Sequence, residues 1–191
     1  TITGTVDQTL PLGGTISDAW SSSDYFQSFK FKVTTQTTNE TFTFNGSGSY
    51  HIDWGDGNGF QGPHTNAQSF QYSTIGQQNT VTVGQSGDEL NLIYSYGDAN
   101  VPKITEISQW MEGFNTSTLK FQHTGARFAP LNITATNVPG FKDIGSGGAS
   151  LFRIFANLPS TNGIVDSGNN LSKWNLDNVT NIKQFFGPNA T

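Results

Sequence analysis

Cysteine is absent from the 191 residues, which removes a disulfide framework and a thiolate metal site. Charge is scarce: Lys, Arg, Asp and Glu together make 12% of the chain, against about 25% in an average soluble domain. Only nine residues are Lys or Arg, scattered without a stripe, and the net charge is −5. Nothing is therefore arranged to neutralise the phosphates of a nucleic acid. No run approaches the ~20 apolar residues of a membrane span. The mixture of Ala, Glu, Lys and Leu that marks helical proteins is thin. The chain opens on Thr1 rather than Met, and this predicts a processed product whose signal peptide has been removed.

Thr, Ser, Asn, Gln and Gly take the place of charge. Aromatic residues reach 13%, with 15 Phe, and rings in that number require a core or a partner. Uncharged polar positions mixed with β-branched and aromatic ones predict strands. The length suits one large domain or two small ones with a real core.

Residues 1–16 alternate with a period of two. Ile2, Val6, Leu10, Leu12 and Ile16 share one face, with Thr1, Thr3, Thr5, Thr9 and Thr15 on the other, the pattern of a strand with one apolar side. Pro11 cannot donate to a ladder, so the strand belongs at an edge or on a detached arm. Two placements follow. It closes the edge of the chain's own sheet, or it lies in the sheet of a neighbouring copy, where backbone bonds supply affinity and the apolar face sets register.

A β-rich block follows. Phe29, Phe31 and Val33 alternate with Lys30, Lys32 and Thr34, and Phe42 and Phe44 with Thr41 and Thr43. Further short runs at 50–59, 69–76 and 79–87 are each bounded by Gly or Asn. Several short strands at this spacing predict a β-sandwich. Within it, Tyr50-His51-Ile52-Asp53-Trp54-Gly55-Asp56-Gly57 resembles the hairpin of PKD-like domains. Phe70-Gln71-Tyr72, Gly76 and Val81-Thr82-Val83 resemble that family's later pair of strands, with Phe70 where the family usually has His. Asp56-Gly57 makes physical sense as a tight turn between strands that bury Trp54. The resemblance implies an Ig-like sandwich of the kind found as a spacer or adhesion module outside the cell.

From about residue 98 apolar residues come in short clusters between polar turns. The final segment resembles the BspA-like surface repeat, through Leu171, Ser172, Trp174, Asn175, Asn178, Val179, Thr180, Asn181, Ile182 and Phe185. Asn137-Val138-Pro139-Gly140-Phe141 resembles a degenerate earlier copy, and Leu151 to Ala156 another half. In that family each repeat of roughly 25 residues forms a leucine-rich-repeat-like coil stacked on its neighbours. The expected organisation is an extended arm at 1–20, a PKD-like sandwich at 21–97 and a short solenoid at 98–191.

Few residues promise chemistry. Asp53, Asp56 and Asn58 have the spacing of oxygen ligands, but the loop is short and lacks a closing bidentate Glu, so they read as turn formers. His51, His64 and His123 lack metal-ligand spacing. Glu106 and Glu112 flank Trp110, and Asp88-Glu89 form a second acidic pair. Nothing sets a perturbed acid beside an ionised base, and no nucleophile elbow, phosphate loop or dinucleotide fingerprint occurs. No catalytic residue, metal or cofactor is expected. Trp54 and Trp174 occupy motif positions that predict burial, whereas Trp20 and Trp110 are candidates for stacking on a glycan. Asn-x-Ser/Thr acceptors begin at Asn39, Asn45, Asn115, Asn132, Asn170, Asn178 and Asn189, an excess that points only weakly to glycosylation. The sequence thus predicts a mainly β, non-enzymatic extracellular protein. Its partners are copies of itself, with a monomeric adhesion or glycan-binding module as the rival reading.

Overall fold

The computed structural model describes residues 28–85, 90–94, 98–114, 119–121, 129–141, 149–150, 154–155, 163–174 and 179–181. The chain is mainly β: the described residues hold strands and two 3-10 turns, Val101–Lys103 and Leu171–Lys173, and no α-helix. No helix among them is long and apolar enough to cross a membrane. The strand expected at 1–16 lies outside the described residues.

Strand β1 (Phe29–Thr34) follows from its lettering, since Phe29, Phe31 and Val33 are buried while Lys30, Lys32 and Thr34 stay part-exposed. A turn tied by the Glu40 carboxylate, which accepts from the backbone N–H of Gln36 and Thr37 at 2.5 and 3.3 Å, leads into β2 (Glu40–Phe44). Then come β3 (Gly46–Ser47), β4 (Tyr50–Asp53), β5 (Gln61–His64), β6 (Gln68–Tyr72), β7 (Gln78–Gln85) and β8 (Asn91–Tyr94). Beyond the first 3-10 turn lie β9 (Ile104–Gln109), β10 (Glu112–Phe114), β11 (Lys120–Phe121), β12 (Leu131–Ile133), β13 (Gly140–Phe141), β14 (Ala149–Ser150), β15 (Ile164–Val165) and β16 (Val179–Asn181).

Seven strands make one sheet in the order β15-β12-β9-β1-β7-β4-β5. Its pairing changes character at β9. Between β5 and β9 every neighbour is antiparallel. From β9 outward the ladder is parallel, Ile107 against Ile133 and Leu131 against Ile164. The same parallel habit recurs off this sheet, with Tyr94 against Phe121, Phe114 against Phe141 and Ala149 against Val179. Parallel partners cannot be joined by a tight hairpin. Here they sit about 26 to 33 residues apart, within the range of repeat spacings. Because β9 pairs with both β1 and β12, the sheet runs without a break across the boundary expected at residue 97.

The core runs across it too. Phe31 meets Phe42 and Phe44 of the β2–β6 pair at 5.8 and 5.9 Å. Its neighbour Phe29 stacks on Trp110 at 5.8 Å and meets Phe114 edge-on at 5.3 Å. Phe121 stacks on Phe155 at 5.8 Å, continuing the same cluster toward Trp174. Offset and edge-on rings at these separations add about 0.5–1.5 kcal/mol per pair beyond the area they bury.

Candidate functional site

Three features of the described residues could bear function: the loop after β4, the polar ties within the parallel stack, and the two edges of the large sheet.

The loop is a chain of self-closing turns. Asp53 Oδ1 accepts from the Gly55 N–H at 2.9 Å, and Asp56 Oδ1 from the Asn58 N–H at 3.1 Å. The Asn58 side chain then donates to Asp56 Oδ2 at 2.6 Å. Each carboxylate thus accepts through Oδ1 from the backbone two residues on, as in Asx turns. Gly55 has φ +73, and a Cβ there would lie 2.6 Å from the Thr80 carbonyl oxygen, so only glycine fits. Trp54 is buried beneath, stacked on Phe70 at 5.6 Å. Its carbonyl accepts from the Tyr72 hydroxyl at 3.0 Å. Burial pushes the Tyr72 phenol well above its usual range, and the charges of Asp56 and Asp53 push it the same way. Tyr50, also buried, is raised to about 12 by burial while its hydroxyl donates to the Asn66 carbonyl at 2.6 Å. Neither phenol ionises near neutrality. No group of three or more His, Cys, Asp or Glu among the described residues could hold a metal.

The stack is held by asparagine. Asn170 is fully buried, and its Oδ1 accepts from the indole N–H of Trp110 and of Trp174, each at 2.9 Å. Its Nδ2 donates to the carbonyls of Ala135 and Asn137 at 3.0 and 2.5 Å. All four hydrogen-bonding positions of one side-chain amide are filled. Asn137 works one layer back: its Oδ1 accepts from the Trp110 N–H at 3.0 Å and its Nδ2 donates to the Trp110 carbonyl at 2.6 Å. Asp166 holds the outer layer, accepting from the Asn170 and Leu171 N–H groups at 2.7 and 2.8 Å. Gly168 lies so close to the layer beneath that a Cβ would stand 3.0 Å from the Ala135 carbonyl. Asn137 and Asn170 are as far apart in the chain as the paired residues Leu131 and Ile164 of β12 and β15. The sequence singles out Asn170 as a sequon and Asn137 as the first residue of a degenerate repeat copy, without the bonding role of either, and it does not mark Asp166. The available signal was an Asn followed by an apolar residue at each strand-to-corner step, Asn137-Val138 and Asn170-Leu171.

This geometry corrects one expectation. Trp110 is 0% exposed, enclosed by Phe29, Phe114, Phe121 and Trp174, and offers no ring face to a sugar. Its indole N–H is taken up by Asn170 Oδ1. Trp174 and Trp54 are buried as their motifs predict. Leu171 and Val179 pack partly buried against the core. Ile2, Val6, Leu10, Leu12, Ile16, Trp20, Asn178, Ile182 and Phe185 lie outside the described residues, as do Asp88, Glu89 and His123. Glu106 is an ion-pair member rather than an acid in a cleft. It meets Lys32 Nζ at 2.7 Å and accepts from the Thr134 hydroxyl at 2.9 Å.

The sheet edges are unlike. The β5 edge contains Pro63, which has no N–H to offer an incoming strand. At the other end β15 pairs, among the described residues, with β12 alone. Among the described residues nothing pairs with its outer side, and Val165 is 44% exposed there. Comparison of the chain with family models, with curated proteins and with solved structures returned no match.

Proposed function

We propose that the protein is a non-enzymatic structural subunit of an extracellular surface assembly, a cell-surface filament or a virion fibre or decoration protein, in which copies join through β contacts. In this reading a PKD-like sandwich is continued by a short leucine-rich-repeat-like solenoid. The parallel ladders at repeat-like separation and the correspondingly spaced asparagines 137 and 170 support the solenoid. Placement outside the cell is inferred from the resemblance of the hairpin and repeat motifs to surface-protein modules.

The observation that carries the reading is the inequality of the sheet edges. One edge is blunted by Pro63, as edges of solitary sheets commonly are. Among the described residues the other ends on β15 with a part-exposed Ile164 and an exposed Val165, a condition that matches a stack awaiting a cap. A strand added there completes backbone pairing and covers apolar surface together. Residues 1–16, with Ile2, Val6, Leu10, Leu12 and Ile16 on one face, supply a strand of the right kind.

The test compares the full chain with a chain lacking residues 1–16 and with Val165→Lys, by light scattering and negative-stain microscopy. The full chain is expected to form ordered fibres or particles. The deletion is expected to stay monomeric, and the edge lysine to weaken association at least tenfold, both with unchanged circular dichroism. A full chain that remains monomeric while binding glycans would mark an adhesion module and end this reading.

A further inference from the structure

Four of the seven Asn-x-Ser/Thr tripeptides fall on described residues, and the fold sorts them sharply. Asn170 is enclosed, its amide filled by two indoles and two carbonyls. Asn45 donates its amide to the Asp98 carboxylate at 2.6 Å, and its neighbour Gly46 is paired in β3 with Leu92 against the Phe44 ring. Asn132 sits inside the large sheet, laddered to Glu106 on one side and Val165 on the other.

Asn39 differs in every respect. It stands at the turn between β1 and β2 with φ 56, a left-handed conformation that Asn tolerates better than most residues. Its side chain is exposed, and so is Thr41, whose hydroxyl completes the tripeptide. The surrounding backbone is held: the Asn39 carbonyl accepts from Gln71 Nε2 at 3.0 Å. Glu40 is anchored by the Gln36 and Thr37 N–H groups and by Lys103 at 3.3 Å. The turn therefore presents a free amide and an exposed hydroxyl. A transferase needs both within reach, because it must engage the amide nitrogen and the hydroxyl two residues on together.

We propose that Asn39 is the acceptor of an N-linked saccharide on the folded protein, an assignment that rests on the extracellular reading above. The donor class is a lipid-linked sugar phosphate. The bond between Asn39 Nδ2 and the sugar C1 forms, and the bond between C1 and the phosphate oxygen breaks. The phosphate leaves with the electron pair, and one amide proton passes to the transferase.

The experiment secretes the full chain from a cell that carries such a transferase and maps the added mass on chymotryptic peptides. Cleavage after Phe42 or Phe44 separates Asn39 from Asn45. The saccharide is expected on the Asn39 peptide in most molecules, lost in Asn39→Gln and in Thr41→Ala, and kept in Thr41→Ser. The threonine variants leave the left-handed residue untouched, so the test stands even where Gln strains the turn. A bare Asn39 in the secreted protein, or occupancy at Asn45, Asn132 or Asn170 in its place, overturns the assignment. Assembly is read on the same material. Lost assembly with Asn39 occupied sinks the functional reading alone, and assembly with Asn39 bare sinks this one alone.

Discussion

Asn170 carries more of this structure than its size suggests. A side-chain amide that links two indoles to two carbonyls deprives both indole N–H groups and the Ala135 carbonyl of a buried partner when it is cut back, while the Asn137 carbonyl lies nearer solvent. Each stranded buried group costs about 1–3 kcal/mol, though neighbouring losses do not add fully. Asn170→Ala is therefore expected to lower stability by roughly 3–5 kcal/mol, a loss of the size seen when buried networks are broken. Urea unfolding gives the energy, and indole emission shifts to the red as Trp110 and Trp174 meet water. A loss under about 1 kcal/mol with unchanged emission would show that water replaces the amide without penalty. Asn137 acts on one backbone residue at an exposed position, where solvent can take over, so its truncation is the milder change. The contrast depends on burial, because both side chains use the same chemistry.

Strand β9 is where the two pairing modes meet, and its outward side chains tie the junction. Glu106 reaches Lys32 on β1 and Thr134 just beyond β12. Hydrogen bonding from Lys32 lowers its carboxyl below the ordinary 4.5; burial opposes this, and the Thr134 hydroxyl and the Lys32 charge add to the lowering. At Glu40 burial pushes upward, but the Gln36 and Thr37 N–H groups and Lys103 outweigh it and the carboxyl again ends low. A lowered carboxyl binds its proton more weakly in the folded chain than in the unfolded one. Its contribution is therefore whole above the unfolded value and fades as the pH falls through the folded value. Thermal midpoints are expected to be flat from about pH 7 to 5 and to drop below about pH 4.5, with Glu106→Gln showing the smaller drop. Part-exposed pairs of this kind contribute only about 0.2–1 kcal/mol at neutral pH, so the difference between the two slopes is the measurement that matters. Equal slopes would remove Glu106 from the account.

One core and one sheet serve the first and the later parts of the chain alike. Phe29 and Phe31 belong to β1, yet β9 covers one side of that strand and Trp110 stacks on Phe29. A chain cut after residue 97 loses β9 and with it the cover of a strand whose inner side chains are at most 1% exposed in the whole protein. Such a fragment is expected to lack a cooperative unfolding transition and to bind a hydrophobic dye. A fragment with a sharp transition and native near-ultraviolet circular dichroism would instead show that the first eight strands are self-sufficient. The proposed association would be directed in the same way. Pro63 discourages addition at β5, whereas among the described residues no strand pairs with the outer side of β15, so the reading proposed above adds strands at the β15 end.

Much of the local structure was legible because alternation is a local property. The period of two in Phe29–Thr34 and Glu40–Phe44, with Gly and Asn between strands, specifies strand, face and turn from neighbours alone. The letters of the hairpin likewise marked Trp54 for the core and Asp56-Gly57 for a tight turn, and Gly57 has φ 87. What lay beyond reading was everything that depends on partners distant in the chain. The letters around Trp110 leave its ring as open to a sugar as to a core, because its neighbours Phe29, Phe121 and Trp174 arrive from three other segments. The same holds for the roles of Asn137 and Asn170, the change from antiparallel to parallel pairing at β9, and the place of β15 as the last described strand on the parallel side. Spacing in a sequence sets which way a side chain points, but only the folded sheet sets what it meets, because burial and pairing are made between segments rather than within them.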